Sequence, residues 1–344
     1  MVRPFLRPAQ NGGRIYIVGI VVWSLVLTLG SAPNTIFAQV DDIDELVRGG
    51  PNDARLLIDS YLAPGITGFE SGLNTGWGGS VEPHQQFGFY LHAVVSLTRI
   101  PEDDQAFSID PTELERFTLE SPIPERSPTV GGSENAPRYR LRSPSGEVVT
   151  MPEGAGFSYV PIPLVEAGVG VGRRTDIMIR VVPPTTIEDY GELILYGIGA
   201  KHGLNQWIPG GRGLPVELSA LFQYTRFNLD AILDDDDNQD LDWDTNTWTL
   251  NLVAGKRTSV FSFYGGLGLE TSSSTVSLLG PYEVEDETGD SEIVEDPVDV
   301  DFGHDATLRG FAGIGLRLSP ATLFVEGTIA NYSSLTIGVG VNIR

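Results

Sequence analysis

The stretch GELILYGIGAKHGLNQWIPGGRGLPVELSALFQYTRFNL, residues 191–229, decides the fold. Apolar residues recur at every second position on both sides of the segment 203–213, where Pro209 and several glycines favour a turn. Alternation of this kind is typical of a β-strand whose two faces meet different surroundings, so the stretch predicts a β-hairpin. At about 3.3 Å per residue, each arm is ~35–50 Å long and could cross a bilayer with tilt.

The same alternation recurs along the chain from residue 86 onward. It predicts ten strands, near residues 86–97, 163–172, 174–183, 191–202, 214–229, 243–256, 258–271, 305–318, 321–331 and 334–344. Long connections (99–162, 230–242, 272–304) alternate with short ones (172–174, 256–258, 319–320). Outer-membrane β-barrels have an even strand count, with short turns at one end and longer loops at the other. A further hairpin within residues 137–151 either decorates a loop or raises the count to twelve.

The two faces of the strands differ in chemistry. In residues 305–318, one face carries Leu308, Ile314 and Leu316, whereas the other carries Arg309 and Arg317. A soluble β-sandwich also alternates, but its loops need not alternate in length. The sequence therefore predicts an all-β fold. This is an antiparallel transmembrane β-barrel of about 10–12 strands with a short N-terminal helical segment, either periplasmic or acting as a plug.

Aromatic residues near the strand ends are expected to form the interfacial girdle of such a barrel. They are Trp243, Trp248, Tyr224, Phe227 and Tyr332.

The first residues have the features of a secretory signal peptide. Arg3, Arg7 and Arg14 precede the apolar run 15–29, and Ala38 follows a small, polar stretch. An uncleaved anchor helix is the alternative. The sequence thus predicts export to the outer membrane of a Gram-negative bacterium. The expected division is a signal peptide (1–38), an N-terminal helix with a Gly-rich connector (39–85) and the barrel (86–344).

A helix is predicted between the signal peptide and the barrel. Asn52 or Asp53 can cap a helix over 54–61, and Pro64 is expected to end it. We expect this segment to lie at the periplasmic mouth or to fold into the barrel as a plug; a periplasmic linker is the alternative.

Composition excludes several classes of function. The formal net charge is −24 and cysteine is absent. A chain this acidic is unsuited to nucleic acid, and without cysteine it has neither a thiolate metal site nor a Cys nucleophile. The expected partners are outer-membrane lipid and a small-molecule solute.

Charged residues of both signs are predicted to point into the lumen. They can pair with one another across a narrow interior, or they can select a conducted solute. These lumen candidates are Glu166, Asp176, Arg180, Glu217, Glu270, Arg309, Arg317 and Glu326.

One acidic loop is a candidate cation site. Asp236, Asn238, Asp240 and Asp242 offer oxygen ligands at alternate positions, as Ca²⁺ prefers, although the pattern is not that of an EF-hand. A solvated acidic loop is the alternative, and no other cofactor is expected.

Catalytic motifs are not recognisable, so no catalytic residue is predicted and the protein is not expected to be an enzyme. His304 next to Asp305 is interpreted as an ordinary strand-edge residue.

Three segments together resemble an uncharacterised family of bacterial outer-membrane barrel proteins, a domain of unknown function. They are DARLLIDSYLAPGITGFESGLNTGWGGSVEPHQQFGF (53–89), GIGAKHGLNQWIPG (197–210) and FYGGLGLE (263–270). The resemblance implies a barrel with an N-terminal periplasmic extension and brings no substrate or catalytic residues.

Two functional hypotheses follow, beside a third, an outer-membrane enzyme whose activity would depend on His304. The first is a narrow channel or carrier for a small solute, with hydrophobic solutes among the candidates, gated by the N-terminal segment. The second is a non-conducting surface or envelope-structural barrel whose acidic outer loops bind cations or partners.

Overall fold

The computed structural model describes residues 44–77, 79–120, 126–135, 137–142, 146–156, 158–187, 191–234, 238–285 and 290–343. The predicted signal peptide lies outside these residues. Two helices come first, α1 (Asp44–Val47) and α2 (Pro51–Leu73).

The strands follow in chain order. They are β1 (Phe89–Arg99), β2 (Ala106–Phe107), β3 (Phe117–Leu119), β4 (Ser127–Pro128), β5 (Arg138–Leu141), β6 (Val148–Thr150), β7 (Tyr159–Gly172), β8 (Thr175–Ile187), β9 (Gly191–Gly203), β10 (Glu217–Asp234), β11 (Gln239–Arg257), β12 (Phe261–Leu279), β13 (Pro281–Glu285), β14 (Ser291–Glu295), β15 (Val298–Leu318), β16 (Ala321–Ile329) and β17 (Ser334–Ile343).

Ten of these strands form a closed antiparallel barrel in the order β1-β17-β16-β15-β12-β11-β10-β9-β8-β7. The predicted all-β barrel is therefore confirmed, and all ten predicted strands are present. Strands β10, β11, β12 and β15 are longer than predicted because they project beyond the others at one end. The predicted hairpin within 137–151 is β5–β6, which pairs with β3 in a separate sheet and adds no barrel strand.

Connections at the two ends of the barrel differ in length. The short-turn end carries the tight turns, such as 173–174 and 319–320, together with the start of β1 and the end of β17. The long-loop end carries the connection 100–158, with its small sheets, and the hairpin β13–β14.

The outward face of the wall is an apolar belt. On β12, Phe261, Phe263, Leu267 and Leu269 are exposed. Further along the same strand, residues 271–277 are serine or threonine at the outward positions. Nine residues of tilted strand rise ~20–25 Å, the height of the apolar band on a transmembrane barrel.

The expected aromatic girdle is only partly correct. Trp248 is exposed at the edge of the belt. Trp243 and Phe227 instead face inward, where both pack against Phe69 of α2, with ring centroids 4.8 and 4.7 Å from it. Tyr332 is buried and donates a hydrogen bond to Asp104. The inserted helix gives these rings a better apolar partner than the interface does.

Helix α2 continues through Pro64, so the prediction that the proline ends it is wrong. Proline removes one main-chain hydrogen bond. The turns on both sides are held by tertiary packing, because Leu57 and Tyr61 before the proline and Ile66 and Leu73 after it are buried. Packing of this kind decides helix length more often than intrinsic propensity does.

The helix enters the barrel from the long-loop end. Its N-terminal half joins a hydrophobic core with the loop sheets and the projecting strands, including Phe117, Tyr139, Val276 and Val300. Its C-terminal half packs against β1, β7 and β15 inside the barrel. After α2 the chain crosses the lumen and reaches β1 at the short-turn end. Residues 44–88 are called the plug below. Of the two predicted placements, at the periplasmic mouth or inside the barrel, the structure has the second.

No helix among the described residues is long and apolar enough to cross a membrane.

We predict that Gly72→Leu displaces α2 from the barrel wall. A Cβ at Gly72 would lie 2.5 Å from Ile162 Cδ1 and 2.8 Å from Thr98 Oγ1, so the helix sits against the wall only without a side chain there. Overpacking should cost about 1–3 kcal/mol. Limited proteolysis should cleave the plug while the barrel stays intact.

Gly327→Leu is the control, because Gly327 is exposed on the outer face and its Cβ would meet nothing within 4 Å. Equal protection of the plug in both variants would contradict the packing described for α2.

Candidate functional site

The lumen wall is lined by hydroxyl and amide side chains. Strand alternation turns them inward, opposite the apolar belt. They are buried because the plug covers them, and they include Ser96, Thr98, Ser219, Gln223, Thr225, Thr245, Thr247, Thr249, Asn251, Ser274, Thr328, Ser334 and Thr336.

Two arginines of the wall cap the C-terminal end of α2. Arg180 donates from Nη1 to the Leu73 carbonyl oxygen over 2.8 Å and from Nη2 to that of Thr75 over 2.7 Å. Arg309 donates to the carbonyl oxygen of Asn74 over 2.6 Å. The last carbonyls of a helix lack intrahelical partners and carry partial negative charge. Since α2 has no basic residue in its last turn, the wall supplies these cations.

Arg180 is held from three sides. Its Nη2 lies 3.0 Å from Glu166 Oε2, and its guanidinium lies 4.1 Å from the centroid of the Trp77 ring. Tyr90 donates to the other oxygen of Glu166 over 2.6 Å. Each of these groups is buried. A buried charge pair is stable only when such additional hydrogen bonds compensate for desolvation.

The extended part of the plug is held by main-chain hydrogen bonds and by the buried apolar side chains of Trp77 and Val81. Gly76 N–H donates to Glu326 Oε1 over 3.1 Å, Lys201 Nζ donates to the Ser80 carbonyl, and Ser219 Oγ donates to the Val81 carbonyl. Gly76 has φ +74°, and a Cβ there would lie 2.6 Å from Thr336 Cγ2, so this close approach requires glycine.

His84 ends this set of contacts near the short-turn end. Asp176 accepts from the main-chain N–H of His84 over 2.8 Å and lies 2.9 Å from its Nδ1. The next residues lead into β1, so the bidentate contact fixes the point at which the plug leaves the lumen.

Glu70 forms the corresponding contact between the plug and the wall near the long-loop end. It accepts from Ser272 and Ser274 over 2.7 Å each, and His304 Nδ1 lies 3.1 Å away. The interpretation of His304 as an ordinary strand-edge residue is therefore wrong. Asp301 and Asp305, nearby on the same strand, are exposed, so this part of β15 lies beyond the apolar belt. The hydrogen bond to Glu70, more than any other influence, raises the pKa of His304.

The lumen candidates occupy two kinds of position. Six are buried in the lumen: Glu166, Asp176, Arg180, Glu270, Arg309 and Glu326. Glu217 and Arg317 are half-buried at the short-turn end, where Glu217 pairs with Arg174. The buried candidates form pairs between neighbouring strands and contacts with the plug, such as Glu166–Arg180 and Asp176–His84.

Sequence patterns did not reveal several residues of the site. Glu70 lies beyond the point where the helix was expected to end, and Trp77 and His84 lie in a connector without periodicity. Lys201 and Tyr90 do fall at inward positions of their strands, and strand alternation alone could have identified them.

Space at the short-turn end is small. A recess of about 40 Å³ lies between the plug and the wall, lined by Ser80, His92, Arg317 and Phe324 among others. It has room for a few water molecules. Among the described residues, the plug thus covers the inward side chains of the wall.

The acidic loop stays only a predicted cation site. Asp236 lies outside the described residues, and the described residues contain no group of three or more His, Asp or Glu side chains placed to hold a metal ion. Asp242 lies opposite Asp230 in the β10–β11 ladder. Burial, and next a hydrogen bond with Asp230, raise the pKa of Asp242 to about 6.

Comparisons with known proteins give one family and several barrels. The family of unknown function DUF6588 matches residues 16–343. No curated protein matches. Similar solved structures include the translocator domain of autotransporter NalP from Neisseria meningitidis, with 12% identity, TM-score 0.31 and coverage of 76% of this chain and 90% of that one.

Two further similar structures have comparable scores. Ail, the attachment invasion locus protein of Yersinia pestis, has 8% identity and TM-score 0.28, covering 75% of this chain and 99% of that one. The Pseudomonas putida toluene transporter TodX has 10% identity and TM-score 0.25, covering 76% and 69%.

We predict that Arg180→Met loosens the plug. The change leaves Glu166 buried without its guanidinium partner and removes two hydrogen bonds to the helix end, which should cost about 3–5 kcal/mol. Urea unfolding in detergent measures the loss. Adding Glu166→Gln should restore part of it, because the two residues act as a unit.

Arg226→Met is the matched control. Its pair with Asp244 is largely exposed, and such pairs contribute about 0–1 kcal/mol. Equal losses for the two arginines would show that Arg180 does not hold the plug.

We predict that seating of the plug weakens as the pH rises. The folded-state pKa of His304 lies above its ordinary value, so its bond to Glu70 contributes fully below that ordinary value and is lost as pH rises through the raised pKa. Protease protection of α2 should therefore fall as the pH rises above 6.5, the ordinary value for histidine. In His304→Gln this pH dependence should be absent; a dependence of unchanged size would exclude His304 as its source.

Proposed function

The chain belongs to the family of unknown function DUF6588, and we propose that it is an outer-membrane β-barrel that conducts a small solute when its N-terminal plug moves. The long-loop end then faces the outside of a Gram-negative cell and the short-turn end faces the periplasm, as in other barrels of this class. The apolar belt and the even strand count support this location.

The polar lining of the lumen carries the proposal. A barrel can be filled permanently without buried hydroxyls and charges, since replacing buried ion pairs by well-packed hydrophobic groups is often neutral or stabilising. A wall of serine, threonine and asparagine, in contrast, can exchange its bonds to the plug for bonds to water. Such a wall suits a lumen that is alternately filled by the plug and by water.

The hydrogen bonds between the plug and the wall can be replaced by hydrogen bonds to water. Between Asn74 and His84 several of its main-chain carbonyls accept hydrogen bonds from polar side chains of the wall, as with Lys201–Ser80 and Ser219–Val81. A net contribution of about 0.5–1.5 kcal/mol per hydrogen bond leaves each bond replaceable by solvent. Movement of this segment opens the lumen without breaking the ladder of the barrel.

A non-conducting surface barrel is the second candidate. The hydrophobic core that joins α2 to the long-loop sheets favours it, because that core anchors the N-terminal half of the plug outside the lumen.

We predict that a disulfide between plug and wall abolishes conduction. Thr75 Oγ1 lies 2.9 Å from Ser96 Oγ, so Thr75→Cys with Ser96→Cys places two thiols together, and the native chain has no cysteine to interfere. In proteoliposomes, arabinose-driven swelling and ion conductance should be lost when the pair is oxidised and should return on reduction.

The control pair lies within the wall. Thr98 Oγ1 and Ser334 Oγ, 2.8 Å apart on β1 and β17, join two barrel strands and leave the plug free. Thr98→Cys with Ser334→Cys should conduct equally when oxidised and reduced. If none of the proteins conducts in either state, the channel proposal fails and the surface barrel stands.

A further inference from the structure

The ladder of the barrel is incomplete between β7 and β8. Pairing runs from Gly172↔Thr175 to Val165↔Val181 and stops there. Residues 159–164 of β7 go on pairing with β1, and residues 185–187 of β8 go on pairing with β9. The two strands therefore lack ladder hydrogen bonds to each other over this stretch, while each keeps its other neighbour. The unpaired stretch, 159–164 against 182–187, is called the seam below.

Prolines account for the missing bonds. The Ile100 N–H donates to the Ser158 carbonyl, so even-numbered residues of β7 direct their main-chain groups to β1 and odd-numbered ones direct theirs to β8. Pro161 and Pro163 thus lack a donor on the side of the seam.

The same prolines make an opening in lipid less costly. An unpaired main-chain N–H in the hydrocarbon region costs several kcal/mol. Two of the positions of β7 that face the seam, Pro161 and Pro163, have no N–H to leave unpaired. A strand interior is an unfavourable place for proline, so two prolines on one edge of the gap are a local arrangement with a physical effect.

The seam begins level with the apolar belt. Pro163 lies beside Val95 and Pro161 beside Leu97 on β1. The partners of these β1 residues on β17, Ile337 and Leu335, are exposed on the belt. The lower part of the seam therefore faces the hydrocarbon region of the membrane.

Behind the seam lies an apolar cluster inside the barrel. Leu164 and Val182, the first unpaired residues on the two edges, both belong to it, together with Phe69 and Leu73 of α2. Other members come from β7, β9, β10, β11 and β16: Ile162, Leu195, Phe227, Trp243 and Phe324. Phe69 packs against Phe227 and Trp243, so movement of α2 would free an apolar space directly behind the seam.

A buried ion pair lies immediately below the cluster. It is Glu166–Arg180, the next inward pair on β7 and β8. An apolar solute in the cluster would have to displace hydrogen-bonded charges to continue through the lumen, whereas the seam leads to lipid.

We propose that the seam is a lateral gate through which a small apolar solute passes between the cluster and the membrane. This rests on the proposed function, since the space for the solute appears when the plug moves. It adds the class of solute, apolar, and the route, through the wall.

A disulfide bond across the seam tests the proposal. If the ladder continued by one position, Leu164 would lie opposite Val182, so Leu164→Cys with Val182→Cys joins the two edges when oxidised. The probe is 1-N-phenylnaphthylamine, whose fluorescence rises as it enters the membranes of intact cells. Oxidation should abolish the barrel-dependent uptake, and reduction should restore it.

A second variant closes the seam without a disulfide. Pro161→Val with Pro163→Val returns two N–H groups that face β8, so the ladder can extend and uptake of the probe should fall. The oxidised wall pair, Thr98→Cys with Ser334→Cys, should take up the probe at the wild-type rate.

The outcomes separate the two proposals. Unchanged uptake in the oxidised seam pair, with the disulfide verified by mass, overturns the lateral gate; if locking the plug still stops arabinose flux, the channel proposal survives. If neither the plug disulfide nor the seam disulfide changes arabinose flux or probe uptake, both the channel and the lateral gate are contradicted. Loss of probe uptake with arabinose flux intact supports the lateral gate.

Discussion

The ion pair between Arg180 and Glu166 is the interaction on which the rest of the interior depends. It lies where the helix of the plug ends, and it supplies the positive charge that the last helical carbonyls need. It also lies between the apolar cluster around Phe69 and the hydrogen-bonded groups around Thr75 and Glu326. Without Arg180, the carbonyl oxygens of Leu73 and Thr75 would lose the buried cation that donates to them.

The wall could be predicted from the sequence because its constraint is local and periodic. One face of each strand meets lipid and the other meets the lumen, so alternation marks strands such as 191–203 and 334–343 almost to the residue. The plug could not be predicted in the same way. Pro64 and the glycines of residues 65–79 argue against helix locally, and only packing against the wall overrides them. The partners of Glu70, Trp77 and His84 lie on strands far away in sequence, so no spacing pattern reveals them.

Polar and apolar parts of the interior have different roles. Hydroxyls and amides line the wall where the extended plug crosses it, and these bonds can be exchanged for water. Aromatic and aliphatic groups collect where the ladder between β7 and β8 is interrupted. Trp243 and Phe227, which an ordinary barrel would place at the membrane interface, belong to this inner cluster. The same plug covers both regions, so its displacement would open a polar path and an apolar one together.

Hydrogen exchange of the protein in a membrane or detergent gives the most direct test of the central claim, that the plug moves while the barrel stays folded. The main-chain N–H groups of Gly76 and His84 are bonded to buried wall carboxylates, whereas those of β12 and β15 belong to the barrel ladder. The account predicts that the plug amides exchange through a local opening, faster than the ladder amides. Exchange of both sets at one common rate, that of global unfolding, would make the plug a permanent core and contradict it.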